Sequence, residues 1–303
     1  MPQGSILGPL LFNLYINDLP NQSNSTTRLF ADDACLCFSD KDPQSLQIKI
    51  NTELIKIMNW LRINKLTANY SKTNYIIFTK QRIRFKFIIE MGGTILEEVN
   101  EVKYLGVILD KKLNWKSHLN SVNLKVSRGC YMLSKLRHFM NINTLKMLYY
   151  SLVYPHLMYC ITSWGGAPST TIAPLVRLQK KVIRIMTFQS YDSPSLPIFS
   201  KLQILPLNSI YNLSLSTLIH KFYKNKLISP DNLILLSQSH NYSTRLSKSS
   251  NYYLNLNRTN LGQQTYLTKA IKIWQTIPVE YKSLPIQIFK KKIKFHFLKL
   301  IDK

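Results

Sequence analysis

Acidic side chains are scarce in this sequence: 15 Asp and Glu stand against 40 Lys and Arg in 303 residues, giving a formal net charge of +25 and a pI near 9.9. That imbalance points first to a polyanionic partner and second to an acidic membrane surface. Cysteine is scarce as well. The four at positions 35, 37, 130 and 160 are too few and too irregularly spaced for a disulfide framework or a zinc ribbon, so the chain reads as intracellular and no metal site follows from them. Long apolar runs are missing. The longest uncharged stretch, Met147 to Val176, is interrupted by Pro155, Gly165 and Gly166 and carries four tyrosines, which suits a buried helix of a soluble protein better than a membrane span. Met1-Pro2-Gln3-Gly4 has neither the basic flank nor the apolar core of a secretory signal. With 45% hydrophobic and 18% charged residues the chain is no disordered tail, and its length suits about two domains.

The charge is segregated. Residues 1–110 hold 12 basic and 11 acidic side chains, whereas residues 111–303 hold 28 and 4. A part that keeps its carboxylates, next to a part nearly free of them, suggests acid-dependent chemistry in the first and phosphate contact in the second, with a solvated basic surface as the plainer alternative.

The patterning divides at the same place. After Gly8-Pro9, apolar residues recur at helical spacing towards Pro20. Arg28 to Phe38 then reads as a hairpin, two short apolar strands buried on both sides and pinched around Asp32-Asp33, whose carboxylates stay at the rim. Leu46, Ile50, Leu54, Ile57 and Leu61 predict an amphipathic helix to about Ile63. Strands are expected at Tyr75–Phe78, Phe85–Ile89 and Val102–Leu109, with a turn at Gly92-Gly93, so residues 1–110 read as α+β with an antiparallel sheet. Helices are expected near 116–139, 144–163, 172–188 and 208–227, and loops at 190–206 and 229–260. Tyr149, Tyr150, Tyr154 and Tyr159, at three and four spacing, read as core rather than as base-stacking residues.

Two adjacent aspartates at a tight turn raise each other's pKa unless a cation neutralises them. Oxygen ligands without His or Cys suit Mg²⁺ or Mn²⁺, and a pair of such ions about 4 Å apart is the clamp used for phosphoryl transfer. Asp-Asp alone is weak evidence, and its flanks carry the rest. Pro2-Gln3-Gly4-Ser5-Ile6-Leu7-Gly8-Pro9-Leu10-Leu11-Phe12, Tyr15-Ile16-Asn17-Asp18-Leu19-Pro20 and Phe30-Ala31-Asp32-Asp33 resemble the palm motifs of reverse transcriptases from non-LTR (LINE-type, jockey-like) retrotransposons. Trp60, Asn64-Lys65-Leu66, Asn69 and Lys72-Thr73 are similar to the helix and strand that follow in that family. Lys103-Tyr104-Leu105-Gly106-Val107, with Asp110, Leu113, Trp115 and His118, is similar to its primer-grip hairpin. A looser likeness runs on through Trp164-Gly165, Leu178-Gln179-Lys180, Ala270, Trp274, Ile277-Pro278 and Phe289-Lys290.

The resemblance implies a partial palm over 1–115, a helical thumb-like region over 116–190 and a basic helical region with loops over 191–303. It implies RNA-directed DNA polymerase activity, with an RNA template, a DNA primer, dNTPs and Mg²⁺ or Mn²⁺, and no membrane partner. Asp32 and Asp33 would be the catalytic, metal-side carboxylates, Asp32 the more direct ligand. Gln3, Gly4 and Lys72 would meet nucleotide and template, Lys72 with a solvated lysine as the equal alternative. Tyr104, Leu105 and Gly106 would hold the primer, or would be merely a sheet edge. Lys125, Arg128, Lys135 and Arg137 would follow the nucleic-acid backbone. The family takes a further metal-binding aspartate from an earlier palm strand, and neither Asp18 nor Asp40 has the strand context to replace it. The expectation is therefore an N-terminally truncated polymerase, inactive alone and completed by the missing N-terminal portion, working in a nuclear and cytoplasmic ribonucleoprotein. The alternative is a non-catalytic RNA- or DNA-binding remnant.

Overall fold

The computed structural model describes residues 5, 7–79, 85–228, 230, 233–236, 251–254, 262 and 265–300. The chain is α+β and divides into two compact units, Met1–Lys103 with Asp110–Leu113, and Tyr104–Leu109 with Asn114–Lys303.

The first unit opens with α1 (Leu7–Tyr15), none of whose side chains is buried, and a 3-10 turn at Leu19–Gln22. The hairpin of β1 (Thr26–Phe30) and β2 (Asp33–Cys37) leads into α2 (Pro43–Ile63). Asp42 caps that helix by accepting a hydrogen bond from the Ser45 N–H at 2.7 Å, and Pro43 supplies a helical φ where no donor is needed. The predicted apolar stripe does the packing: Leu54 joins Phe87, Ile89, Met91 and Leu96 in one small core, while Ile57 and Trp60 join Ile16 and Leu19 in another.

The expected antiparallel sheet is replaced by two-residue ladders. β3 (Asn74–Tyr75) pairs in parallel with β6 (Glu97–Glu98), and β4 (Glu90–Met91) pairs with β5 (Thr94–Ile95) around Gly92-Gly93. Residues 85–89 form no strand, and α2 takes up the backbone groups of Ile88 instead. Gln47 Oε1 accepts from the Ile88 N–H at 2.6 Å, and Asn51 donates to the Ile88 carbonyl while accepting from the Glu90 N–H, both at 3.1 Å. β7 (Glu101–Tyr104) and β8 (Val107–Asp110) make a further hairpin where one strand was expected.

The second unit is helical. α3 (Lys116–Leu136) packs beside α7 (Ser169–Met186). Between them the helix expected at 144–163 is three pieces, α4 (Ile142–Leu152), α5 (Tyr154–Met158) and α6 (Ile161–Trp164), split at Pro155 and at Cys160, whose φ is +49°. The loop expected at 190–206 contains α8 (Ser195–Leu202), which buries Ile198, Phe199 and Leu202. Then come α9 (Leu207–Tyr223), α10 (Tyr266–Thr276), α11 (Val279–Lys282) and α12 (Ile286–Lys299); most of the loop expected at 229–260 lies outside the described residues. One continuous core joins these helices.

The looser C-terminal likeness falls on that core. Trp164, Gln179, Ala270, Trp274, Ile277 and Phe289 are all buried. Gln179, 1% exposed, donates to the Tyr149 hydroxyl (2.9 Å) and the Leu205 carbonyl (3.0 Å) and accepts from the Leu207 N–H (2.8 Å), tying α7 to α4 and to the start of α9. Gly165 lets α6 approach α9: a Cβ there would come within 2.5 Å of the Tyr211 ring and 2.6 Å of the Ile161 carbonyl oxygen.

Candidate functional site

The β1–β2 hairpin places the two acids together at its turn. Its register runs from Thr26↔Cys37 to Phe30↔Asp33, leaving Ala31 and Asp32 as the connecting residues, with Ala31 at φ +49°. Asp33 opens β2, and both carboxylates are exposed. The expectation of strands buried on both sides is corrected: of the two strands only Thr27 is buried, because among the described residues the ladder has no third strand beside it. Asp18 and Asp40 have other work. Asp18 accepts from the Trp60 indole N–H at 3.1 Å, and Asp40 accepts from the Asp42 and Lys41 N–H groups, which hold its carboxyl below the usual range.

Asp32 and Asp33 are hard oxygen donors and fit a share of a Mg²⁺ shell, an ion commonly held by one or two carboxylates together with waters and substrate phosphates. Among the described residues no group of three or more His, Cys, Asp or Glu could hold a metal ion. The turn alone therefore fits one ion in part and not a pair.

Gln3 and Gly4 lie outside the described residues. Lys72 is exposed at the end of a 3-10 turn, Tyr70–Lys72. Leu105 and Gly106 form the tip of the β7–β8 hairpin, with φ of +45° and +79°. Within the helical unit the tip is fixed twice: the Tyr159 hydroxyl donates to the Leu105 carbonyl at 2.6 Å, and the Ile108 N–H reaches His118 Nδ1 at 3.4 Å. Burial, then Lys125, lowers the pKa of His118, which keeps the ring neutral and Nδ1 an acceptor. Tyr149 is wholly buried, as its spacing predicts, but Tyr159 is exposed and serves the hairpin tip instead.

Lys125, Arg128 and Lys135 are exposed along α3. Arg137, just past its end, is half-buried, with its guanidinium over the Phe188 ring at 4.9 Å and its Nε 3.2 Å from His138 Nε2. Sequence reasoning passed over the aromatic rings beside these cations. The available signal was the three and four spacing of Arg128, Tyr131, Lys135 and His138 along one helix.

Residues 1–109 match the family model described as reverse transcriptase (RNA-dependent DNA polymerase). The chain is 29% identical over 196 residues to a probable RNA-directed DNA polymerase from transposon X-element of Drosophila melanogaster, covering 62% of this chain and 21% of that protein. It is 29% identical over 203 residues to the corresponding protein of transposon BS from the same species, covering 62% and 22%. Against the RNA-directed DNA polymerase from mobile element jockey of Drosophila funebris the identity is 28% over 197 residues, covering 61% and 21%. The chain thus spans about a fifth of the length of these relatives. No solved structure matches it. An acidic hairpin turn lies inside the matched segment, and the relatives above are all named for mobile elements, so the chain is similar to reverse transcriptases of the non-LTR retrotransposon type.

Proposed function

We propose that the chain serves RNA-directed DNA synthesis in a non-LTR element, as the part of the polymerase comprising the palm's acidic turn, its primer-positioning hairpin and the following thumb. The observation that carries this reading is the exposed Asp32-Asp33 pair at a hairpin turn within the segment that matches the reverse transcriptase family. The reaction joins a primer 3′-hydroxyl to the α-phosphate of a dNTP and releases pyrophosphate; Mg²⁺ would supply charge neutralisation at the transferring phosphate. Asp32 is its more direct ligand here and Asp33 the lesser. Gln3 and Gly4 line the nucleotide and template pocket, and Lys72 meets phosphate. Tyr104, Leu105 and Gly106 position the primer strand, and Lys125, Arg128, Lys135 and Arg137 contact the duplex backbone. The remaining metal ligand comes from an N-terminal polymerase portion, and the assembly works as a ribonucleoprotein in nucleus and cytoplasm. Among the described residues no helix is long and apolar enough to cross a membrane.

A second reading, a non-catalytic RNA- or DNA-binding module, is favoured by the lack of a three-ligand cluster among the described residues. Primer extension on an RNA template with Mg²⁺ or Mn²⁺ separates the two. The expected result is little incorporation by the chain alone, and incorporation when the upstream segment of a jockey-type polymerase is added as a separate polypeptide. Asp32→Ala should abolish that gain and Asp33→Ala should lower it less. Nucleic-acid binding with a steep salt dependence, and no incorporation under either condition, would leave the module reading.

A further inference from the structure

From Lys111 to Tyr191 the sequence contains 12 Lys and Arg and not one Asp or Glu. α3 and α7 carry eight of those cations, and Arg137 follows directly on α3. The two helices run side by side in the same direction: Lys181 lies close enough to Cys130 to oppose the burial that raises its thiol pKa, and one or two turns further on Phe188 meets His138. Their last turns therefore share one end of the unit.

Three aromatic rings stand open there, each beside a cation. Tyr131 is 64% exposed with Lys135 Nζ at 5.7 Å from its centroid. Phe188 is 56% exposed, with Arg137 over its ring and His138 edge-on at 5.5 Å. Tyr191 is 74% exposed with Arg184 at 5.7 Å, and Arg184 is itself held by donating to the Ser193 carbonyl at 2.9 Å. Asp192, next to Tyr191, is the first carboxylate after Asp110.

Phe188 is the most telling of the three. It occupies the first position past the C-cap of α7, where the Gln189 N–H bonds back to the Arg184 carbonyl and the Phe188 N–H to that of Ile185, a motif that calls for a left-handed residue and hence for glycine. A phenylalanine at φ +54° strains the backbone and leaves the ring more than half exposed, with Arg137 and His138 against it. Exposed aromatics interleaved with cations, with Asp192 the single acid near them in sequence, are what single-stranded nucleic acid binds: the cations take the phosphates and any base can stack on a ring.

We propose that Tyr131, Phe188 and Tyr191, with the cations beside them, form a stacking platform for an unpaired nucleic-acid strand at the shared end of α3 and α7. The proposal rests on the reading of this unit as nucleic-acid-binding but goes beyond it in naming the strand state and the rings. The test is fluorescence anisotropy of the full chain with a labelled 20-nucleotide oligo(dT) and with a 20-base-pair duplex. Each of Tyr131→Ala, Phe188→Ala and Tyr191→Ala is expected to weaken oligo(dT) binding by about 5- to 150-fold, the range for losing one stacked base, and to change duplex binding by no more than about twofold. Phe188→Trp should restore single-strand binding. Phe188→Gly removes the ring while suiting the left-handed backbone, so it should raise Tm yet lower oligo(dT) affinity, which separates folding from binding. Unchanged oligo(dT) binding in all three alanine variants, or equal losses on duplex and single strand, overturns the platform alone. A wild-type chain that binds duplex but not oligo(dT) does the same, and one that binds neither overturns the underlying reading as well.

Discussion

Lys282 offers a direct check of the helical unit's core. Its side chain is buried at 2% exposure, its ammonium donates to Asn251 Oδ1 at 2.7 Å and lies 5.1 Å from the centre of the Trp274 ring, and burial pushes its pKa down from 10.5 to about 8. The folded state therefore binds this proton less tightly than the unfolded chain does. Over the roughly 2.5-unit gap the disfavoured ammonium costs about 3 kcal/mol of stability at pH 7, where both states are protonated. The sign follows: the penalty is fully present below pH 8 and fades as pH rises towards 10.5, so stability grows across that window. By pH 9.5 about 2 kcal/mol of it should be recovered. Lys282→Met keeps most of the volume, deletes the titration and leaves Asn251 without this donor, at a cost of about 1 kcal/mol. Urea unfolding of both proteins between pH 7 and 9.5 should show the variant about 1–2 kcal/mol more stable at neutral pH, with the difference closing or reversing at the alkaline end. The shared rise in tyrosine pKa values cancels in the comparison. Parallel stability profiles for the two proteins would refute the reasoning, since they would mean that the ammonium is not held against its hydration.

Three further outcomes are expected. Gln179→Leu strands the Leu207 N–H and the Leu205 carbonyl in the core, and should lower stability by about 2–4 kcal/mol in urea unfolding. Gly165→Ala should lower Tm by an amount equivalent to about 2–3 kcal/mol, because the new methyl meets the Tyr211 ring of α9 at 2.5 Å and the Ile161 carbonyl of α6 at 2.6 Å; an unchanged Tm would show that α6 and α9 are less closely packed than described. Lys125→Ala and Arg128→Ala should each reduce the slope of log K against log salt for duplex binding by about 0.9, measured by titration at several salt concentrations.

The sequence revealed most where a side-chain period settles the structure. α2 follows its apolar stripe from Leu46 to Leu61, and the Asp32-Asp33 hairpin stands where the turn chemistry puts it. The turn at Gly92-Gly93 and strand residues within 102–109 were legible after α2, but the strand expected at 85–89 is absent: Gln47 and Asn51, polar and unremarkable in sequence, bond the backbone at Ile88 and Glu90. The break of the long helix after α4 was foreshadowed by Pro155 but not placed, since the left-handed Cys160 leaves no trace in composition. Of the site, the acids and the α3 cations could be read, whereas the rings beside those cations emerged only once α3 and α7 were laid together.

The hairpin tip at Leu105-Gly106 has a mechanical side. Its carbonyl accepts from the Tyr159 hydroxyl and its return strand donates to His118, so the tip is moored to the helical unit at two points, one beside α5 and one on α3. Tyr159→Phe removes one mooring and leaves the His118 contact as the remaining one of the two.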